Sequence, residues 1–208
     1  NSTSSASPSG NLRAVKSFGG SVYAVQASST LTVIQVATIS TPTGGTITGL
    51  PGLTNNSAIQ DFQLIQSGDN GTTYDVLYVL SATTNTAGNI SKYSLVAGTW
   101  TANGNYTTAF GGFGLTGKDS GNGAKLYVST GSGALTANSV LELTDTAGFN
   151  TPISVTTANN VSLYSAPTGT IVKGVAFTPV AGTPSSGTVS ISGASISEGN
   201  GGTSILSL

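Results

Sequence analysis

The chain has 208 residues, enough for one domain with a sizeable core, yet only 6% of them are charged, against roughly 25% in ordinary soluble domains. The net charge is -1 and the six basic residues are scattered, which argues against nucleic-acid binding by phosphate neutralisation. Cys and His are absent. Disulfides, imidazole-ligated metals and Ser-His-Asp or Cys-His catalysis are therefore excluded within this chain.

The chain begins with a stretch of low complexity. Residues 1–10 are rich in Ser, Thr, Pro and Gly, and we expect them to form a linker that was cut from a longer protein. The sequence contains no signal peptide and no apolar run of about 18 residues, so we expect no membrane span. The high content of Ser, Thr, Asn and Gly and the lack of Cys favour an extracellular or cell-surface location in a bacterium.

The first predicted unit contains strands at residues 12–18 and 21–27, separated by a Gly-Gly turn. A third strand at residues 31–39 is continuously apolar and β-branched, which is typical of a strand covered on both faces. Residues 46–50 could add a short outer strand. Four strands in succession predict an antiparallel meander.

The second and third units repeat this plan. Strands of the second unit are predicted at residues 59–65, 74–81, 89–95 and 100–108. In the first of these, alternation places Phe62 and Leu64 on one face and the odd-numbered residues Ile59, Asp61, Gln63 and Ile65 on the other. Strands of the third unit are predicted at residues 110–116, 125–130, 139–143 and 153–157. A fourth unit begins at residues 171–177 and stops.

The repeat is visible in one short motif. Leu-Tyr-Val occurs at residues 77–79 and 126–128, with the looser copy Val-Tyr-Ala at residues 22–24. The first strands align at Ala14, Phe62, Phe113 and Val175, so the steps are 48, 51 and 62 residues. Propeller blades repeat at about 40–50 residues. The sequence predicts an all-β chain with about three propeller-like blades plus one strand over residues 11–180; the alternatives are a β-sandwich or a β-solenoid.

Residues 12–180 resemble the closing blades of a β-propeller of the NHL or YVTN kind. The resemblance is carried by the two Leu-Tyr-Val strands and by small-residue first strands such as residues 111–115. Residues 110–177 also resemble a stretch of large secreted bacterial proteins that continue into Calx-beta repeats. Some of those proteins carry a nuclease or phosphoesterase domain. Residues 181–208 are predicted to be a linker and a truncated Calx-beta-like start, because residues 190–200 resemble the opening of such a repeat.

Three blades are too few to close a ring, since propellers typically have 4–8. We therefore expect residues 11–40 to contact another polypeptide, either upstream blades or a second copy of the chain. Without that partner, the first unit would present its valines to water, namely Val22, Val25, Val33 and Val36.

The candidate ligand residues belong to turns and strands of the second and third units. Asp69 with Asn70, and Asp119 with Asn122, lie in Gly-rich turns that could bind calcium, although Asp and Asn also serve turn geometry itself. Asp61 lies in a first strand, where a propeller would line its channel, and could bind a cation or another ligand.

Two further groups have a functional and a structural interpretation. Glu142 and Asp145 could form a pair of carboxylates for glycoside chemistry, but surface charges are the better interpretation. Trp100, Tyr106 and Phe110 could form an aromatic platform for a glycan, whereas outer-strand aromatics more often pack between blades.

The sequence therefore favours a non-catalytic extracellular module for adhesion, scaffolding or interaction, with no cofactor. The first alternative is a carbohydrate- or calcium-binding module. The second is an accessory region of a secreted nuclease or phosphoesterase whose active site lies outside this chain.

Overall fold

A computed structural model describes residues 11–27, 33–38, 48–53, 58–131 and 136–178, with the backbone alone at residues 33–38 and 48. The chain divides into two compact parts, residues 1–177 and 178–208, and the three sheets belong to the first part. The tail that resembles a Calx-beta repeat, and the linkers at residues 1–10 and 181–208, lie outside the described residues.

The first sheet is formed by four antiparallel strands in chain order. These are β1 (Asn11–Phe18), β2 (Ser21–Ala27), β3 (Val33–Thr38) and β4 (Thr48–Gly49). Gly19 and Gly20 both have positive φ, which the tight turn between β1 and β2 requires and which glycine adopts without steric penalty. The predicted strands of the first unit are therefore present, and the outer one is very short.

The second sheet has the same strand order and contains the longest strands of the three sheets. Its strands are β5 (Ile59–Ile65), β6 (Val76–Thr84), β7 (Ala87–Val96) and β8 (Thr99–Thr108). A bulge between Ile59 and Asp61 shifts the register of β5 against β6. Because of this bulge, Ile59 packs in the same cluster as Phe62, so its predicted assignment to the opposite face is wrong.

The third sheet contains β9 (Gly112–Asp119), β10 (Ala124–Thr130), β11 (Ser139–Asp145) and β12 (Val161–Ser165). The predicted outer strand at residues 153–157 is wrong, because Val155 makes only an isolated bridge to Asp145. The reason is that the Asp145 carboxylate accepts the Ser154 N–H and folds this segment into a loop. Residues 171–178 contain no strand either.

The prediction of an all-β chain built from four-stranded antiparallel sheets is confirmed. The register also shows how the sheets correspond. Tyr23, Tyr78 and Tyr127 occupy the same place, since they lie opposite Lys16, Gln63 and Thr116. The residues that precede these three partners on the first strands are Val15, Phe62 and Leu115. Phe62 therefore corresponds to Leu115, and its predicted alignment with Phe113 is two residues out.

The second sheet packs one face on the first sheet and its other face on the third sheet. Between the first and second sheets lie Val25, Phe62, Leu64, Leu77 and Trp100. Between the second and third sheets lie Leu80, Ile90, Leu115, Leu126 and Leu143. The second sheet is thus apolar on both faces, as its near-continuous runs of hydrophobic residues require. Val25 is fully buried, so its predicted exposure is wrong, whereas the side chains of Val33 and Val36 lie outside the described residues.

Replacing Leu126 tests the packing between the second and third sheets. Its side chain is fully buried in the cluster that joins them, so Leu126→Ala should lower the free energy of unfolding by about 2–5 kcal/mol. Lys118→Ala, at an exposed position of the neighbouring strand, should change it by less than about 0.5 kcal/mol. Equal losses in urea melts would show that the faces of the third sheet are inverted.

Candidate functional site

Asp61 lies where the first strands of all three sheets meet. Its carboxylate accepts hydrogen bonds from the Lys16 ammonium at 3.0 Å, the Leu115 N–H at 2.7 Å and the Phe62 N–H at 2.8 Å. The same ammonium donates to the backbone oxygens of Phe62 and Leu115. A lysine from β1 and a carboxylate from β5 therefore join the first, second and third sheets through one cluster.

Burial has the largest effect on the pKa values of Asp61 and Lys16. Desolvation raises the pKa of Asp61 above its ordinary value, and the charge of Lys16 opposes that rise. Desolvation likewise lowers the pKa of Lys16, opposed by Asp61. The Asp61 oxygens accept hydrogen bonds from an ammonium and two amides and so link the strands. Ligand binding at Asp61 stays a prediction from the sequence.

A second charge pair lies between the second and third sheets. Lys92 on β7 and Asp145 at the end of β11 are 2.9 Å apart, and both side chains are almost completely buried. Lys92 also donates to the backbone oxygens of Ala147 and Gly148. Asp145 accepts the Tyr78 hydroxyl at 2.7 Å and the N–H groups of Ala147 and Ser154. The pair is thus fully hydrogen-bonded, which a buried pair of charges requires.

Burial and the Asp145 carboxylate have a direct effect on Tyr78. Desolvation raises the pKa of the Tyr78 hydroxyl above its ordinary value, and the negative charge of Asp145 raises it further. The folded state therefore favours the neutral Tyr78 hydroxyl, which donates to Asp145.

A small pocket of about 140 Å³ lies beside Lys92 and Tyr78, which both line it. Three of the four residues predicted for calcium line it, although they come from turns of two different sheets: Asp69, Asp119 and Asn122. The fourth, Asn70, donates instead to the buried Asp75 carboxylate at 3.1 Å. The structure thus brings together two turns that sequence analysis treated separately.

The hydrogen bonds around this pocket mostly stabilise its turns. Asp119 accepts the Gly121 N–H, and the Asn122 amide donates to the Thr146 carbonyl. Among the described residues, no group of three or more acidic, His or Cys side chains is placed to hold a metal ion. Calcium binding remains a prediction from the sequence.

Glu142 and Asp145 do not share a site. Glu142 pairs with Lys125 at 2.5 Å, and its hydrogen bond to that ammonium lowers its pKa. It lies opposite Tyr127 in the register of β10 and β11. Asp145 instead packs against Lys92 of the second sheet. Because the two carboxylates make separate ion pairs, they are not arranged to flank one glycosidic bond.

The three predicted aromatic residues also separate. Trp100 is buried in the cluster between the first and second sheets. Tyr106 and Phe110 pack on the cluster between the second and third sheets, where the Tyr106 hydroxyl accepts the Asn160 amide at 2.9 Å. They therefore do not form a single platform. Trp100 instead belongs to a different cleft, which it shares with residues that sequence analysis did not select.

Lys16 and Lys92, the two cations of these pairs, were not predicted as site residues from the sequence. A usable signal was present for Lys92, because it stands within an otherwise uncharged strand of a chain that has only six basic residues. A lone charge in a strand with two buried faces indicates a buried partner. The identity of that partner depends on which sheets become neighbours, so the strand itself does not reveal it.

Comparisons with protein-family models, with curated proteins and with solved structures found no match for this chain. Among the described residues, no helix is long and apolar enough to cross a membrane.

Removing Lys92 alone should be strongly destabilising. Lys92→Met leaves the Asp145 carboxylate buried without its cation, and we expect the free energy of unfolding to fall by about 3–5 kcal/mol in urea melts. The double variant Lys92→Met with Asp145→Asn should lose less than the sum of the two single variants, because no buried charge remains.

The matched control is Lys125→Met, which removes the same type of side chain from a half-exposed pair with Glu142. Lys125→Met should lower the free energy of unfolding much less than Lys92→Met does, because solvent screens the pair of Lys125 with Glu142. Direct coupling between Lys92 and Asp145 would be contradicted if the double variant lost as much free energy of unfolding as the two single variants together.

Alkaline pH should weaken the fold through Tyr78. Its pKa is raised in the folded state, so its contribution to stability is complete below the unfolded value of about 10 and is lost as the pH rises above it. The urea midpoint should therefore fall more steeply above that pH in the native chain than in Tyr78→Phe. An identical pH dependence in the two proteins would refute this role.

Proposed function

We propose that this chain is a non-catalytic, propeller-like section of a larger secreted or surface bacterial protein, with a role in structure, adhesion or interaction. The observation that carries the proposal is that equivalent positions in the successive sheets have very different exposures. In two sets of equivalent positions, the residue that lies between two sheets is buried and the residue at an end of the series is more exposed: Phe62 compared with Val15, and Tyr78 compared with Tyr127.

The N-terminal end supports an absent preceding sheet. Val15, Phe62 and Leu115 are equivalent by register and point toward the preceding sheet. Phe62 and Leu115 are 0% exposed, whereas Val15 is 61% exposed. Leu12 on the same strand is exposed as well. This end has the residue types of a blade interface but no described sheet to cover them.

The C-terminal end supports an absent following sheet. Tyr78 is buried by the third sheet, but its equivalent Tyr127 is only half-buried. Its ring packs edge-to-face on Phe177 at 5.4 Å. The side-chain amide of Asn138 holds this last segment by accepting the Val172 N–H and donating to the Val172 carbonyl. In this proposal residues 171–177 are the start of a fourth blade. Four large apolar residues of β12 and this segment are exposed: Val161, Leu163, Tyr164 and Phe177.

A non-catalytic role is supported by the residue types and by their use. The chain has no Cys or His, and its buried carboxylates Asp61 and Asp145 are used in ion pairs between sheets. Catalytic groups are normally free to contact a reacting atom. These carboxylates are instead saturated by ammonium and backbone N–H groups.

The partner of the N-terminal end is, in this proposal, another polypeptide across residues 11–40. It is either a set of upstream blades or a second copy of this chain. Uncovered apolar sheet faces and edges are unfavourable in water at about 25 cal/mol per Å² and promote pairing with other chains. The location that fits such an assembly is extracellular or on the bacterial cell surface.

Size-exclusion chromatography with light scattering tests whether the two ends of the series of sheets bind another chain. We expect the chain to self-associate with rising concentration, so that its mass exceeds the 20.5 kDa of one copy, and to bind an apolar dye. Val15→Lys should reduce both effects, because it places a charge on the uncovered face. Lys118→Ala, also on an exposed position, should change neither. A stable single copy that binds no dye would contradict the proposal.

A further inference from the structure

The interface of the first and second sheets contains a cleft of about 420 Å³, which we call the aromatic cleft. Its walls include four aromatic rings, those of Phe18, Tyr23, Tyr74 and Trp100, and its rim carries Thr72 and Thr73. This volume lies in the range of small-molecule sites, about 300–1,000 Å³. It is three times that of the pocket above Lys92, which is about 140 Å³.

The two openings occupy the same place in successive interfaces. Tyr23 lines the aromatic cleft and its equivalent Tyr78 lines the smaller pocket. Leu95 lines the aromatic cleft, and its equivalent by register is Asp145. In the second interface the Asp145 carboxylate and the Lys92 ammonium fill this place. In the first interface Leu95 stands in place of the carboxylate, and four aromatic residues line the cleft beside it.

The walls of the cleft are held in place by backbone contacts. The Trp100 N–H donates to the Pro51 carbonyl at 2.9 Å, and a Cβ on Gly52 would lie 2.3 Å from the Trp100 oxygen. Only glycine therefore permits this close approach. On the other wall, the rings of Phe18 and Tyr74 lie 5.4 Å apart and are tilted by 60°. The rings form a preorganised surface, which reduces the entropy lost when a ligand binds.

The composition of the cleft selects the ligand. None of the described residues that line it is charged, so a charged ligand would enter without a counter-ion and would lose its hydration. Aromatic faces accept the C–H face of a sugar ring, while hydroxyl groups of Thr and Tyr can exchange hydrogen bonds with sugar hydroxyls. A purely apolar ligand would make no use of the four hydroxyl-bearing residues, Tyr23, Thr72, Thr73 and Tyr74.

We propose that the aromatic cleft binds a neutral saccharide, with the half-buried ring of Tyr74 packing against the sugar, Trp100 forming the floor of the cleft, and the hydroxyls at its rim orienting the sugar. This inference does not depend on the proposed role of the chain as a propeller section. It also differs from the platform predicted from the sequence, since Tyr106 and Phe110 pack elsewhere.

The chain provides its own reporter, because Trp100 is its only tryptophan. The test titrates the full chain with maltotriose, cellotriose, mannotriose and chitotriose, all uncharged, and follows Trp100 fluorescence and binding heat. We expect a saturable response to at least one of them at concentrations up to about 10 mM, which spans weak specific binding. The acidic trisaccharide of polygalacturonate should give a much weaker response.

Variants separate binding from folding. Tyr74→Ala should weaken the response by at least about tenfold, whereas Tyr164→Ala, which removes an exposed tyrosine of the third sheet, should leave it unchanged. Tyr74→Phe and Thr73→Val keep the packing and remove only hydroxyls, so a reduced affinity with an unchanged urea midpoint would support the proposal even if Tyr74→Ala failed to fold.

Three outcomes would overturn the proposal. The first is no response of the folded chain to any of the neutral sugars. The second is a response that persists undiminished in Tyr74→Phe, Thr73→Val and a folded Tyr74→Ala. The third is binding of the uncharged dye Nile red that is abolished by Tyr74→Ala without any sugar competing, which would identify the cleft as a site for apolar ligands.

Discussion

The structure depends on one constraint, that each sheet needs cover on both faces. Strands of the second sheet are buried on both sides, and their side chains alternate between the two clusters that join it to its neighbours. The strands of the second sheet carry only two charged residues, Asp61 and Lys92, and each of them forms an ion pair across a sheet interface. This explains why sheets follow one another in series and why the few charges have such specific positions.

Two charge pairs link each sheet to its neighbour. Lys16 with Asp61 and Lys92 with Asp145 each link residues of different sheets. Hydrophobic clusters alone would tolerate sliding of one sheet over another, since dispersion forces have little directionality. A buried ammonium whose hydrogen bonds must all be satisfied tolerates far less, because a displaced charge would be left unpaired. In this protein the pairs therefore serve specificity of packing more than net stability.

How much of this the sequence predicts depends on the range of the interactions. Strand positions follow from local patterns, and β6 and β10 lie close to their predicted limits. Features set by distant residues were missed: the bulge beside Ile59, and the loop that Asp145 folds in place of the strand predicted at residues 153–157. The candidate site follows the same rule. Trp100 was selected from its residue type, but Phe18 and Tyr74 join it only because two sheets pack together.

The repeat also explains how one architecture can carry two kinds of site. Successive interfaces place a tyrosine of the second strand opposite the end of the next sheet's third strand. Where that end is Asp145, the Tyr78 hydroxyl and Lys92 complete a buried polar cluster. Where it is Leu95, the same space is lined by aromatic rings and stays open. The interface with the charge pair and the interface with the cleft therefore differ at the position of Asp145, where the other sheet has Leu95. Because both outcomes leave the strand register intact, such a fold can acquire a binding site without altering its scaffold.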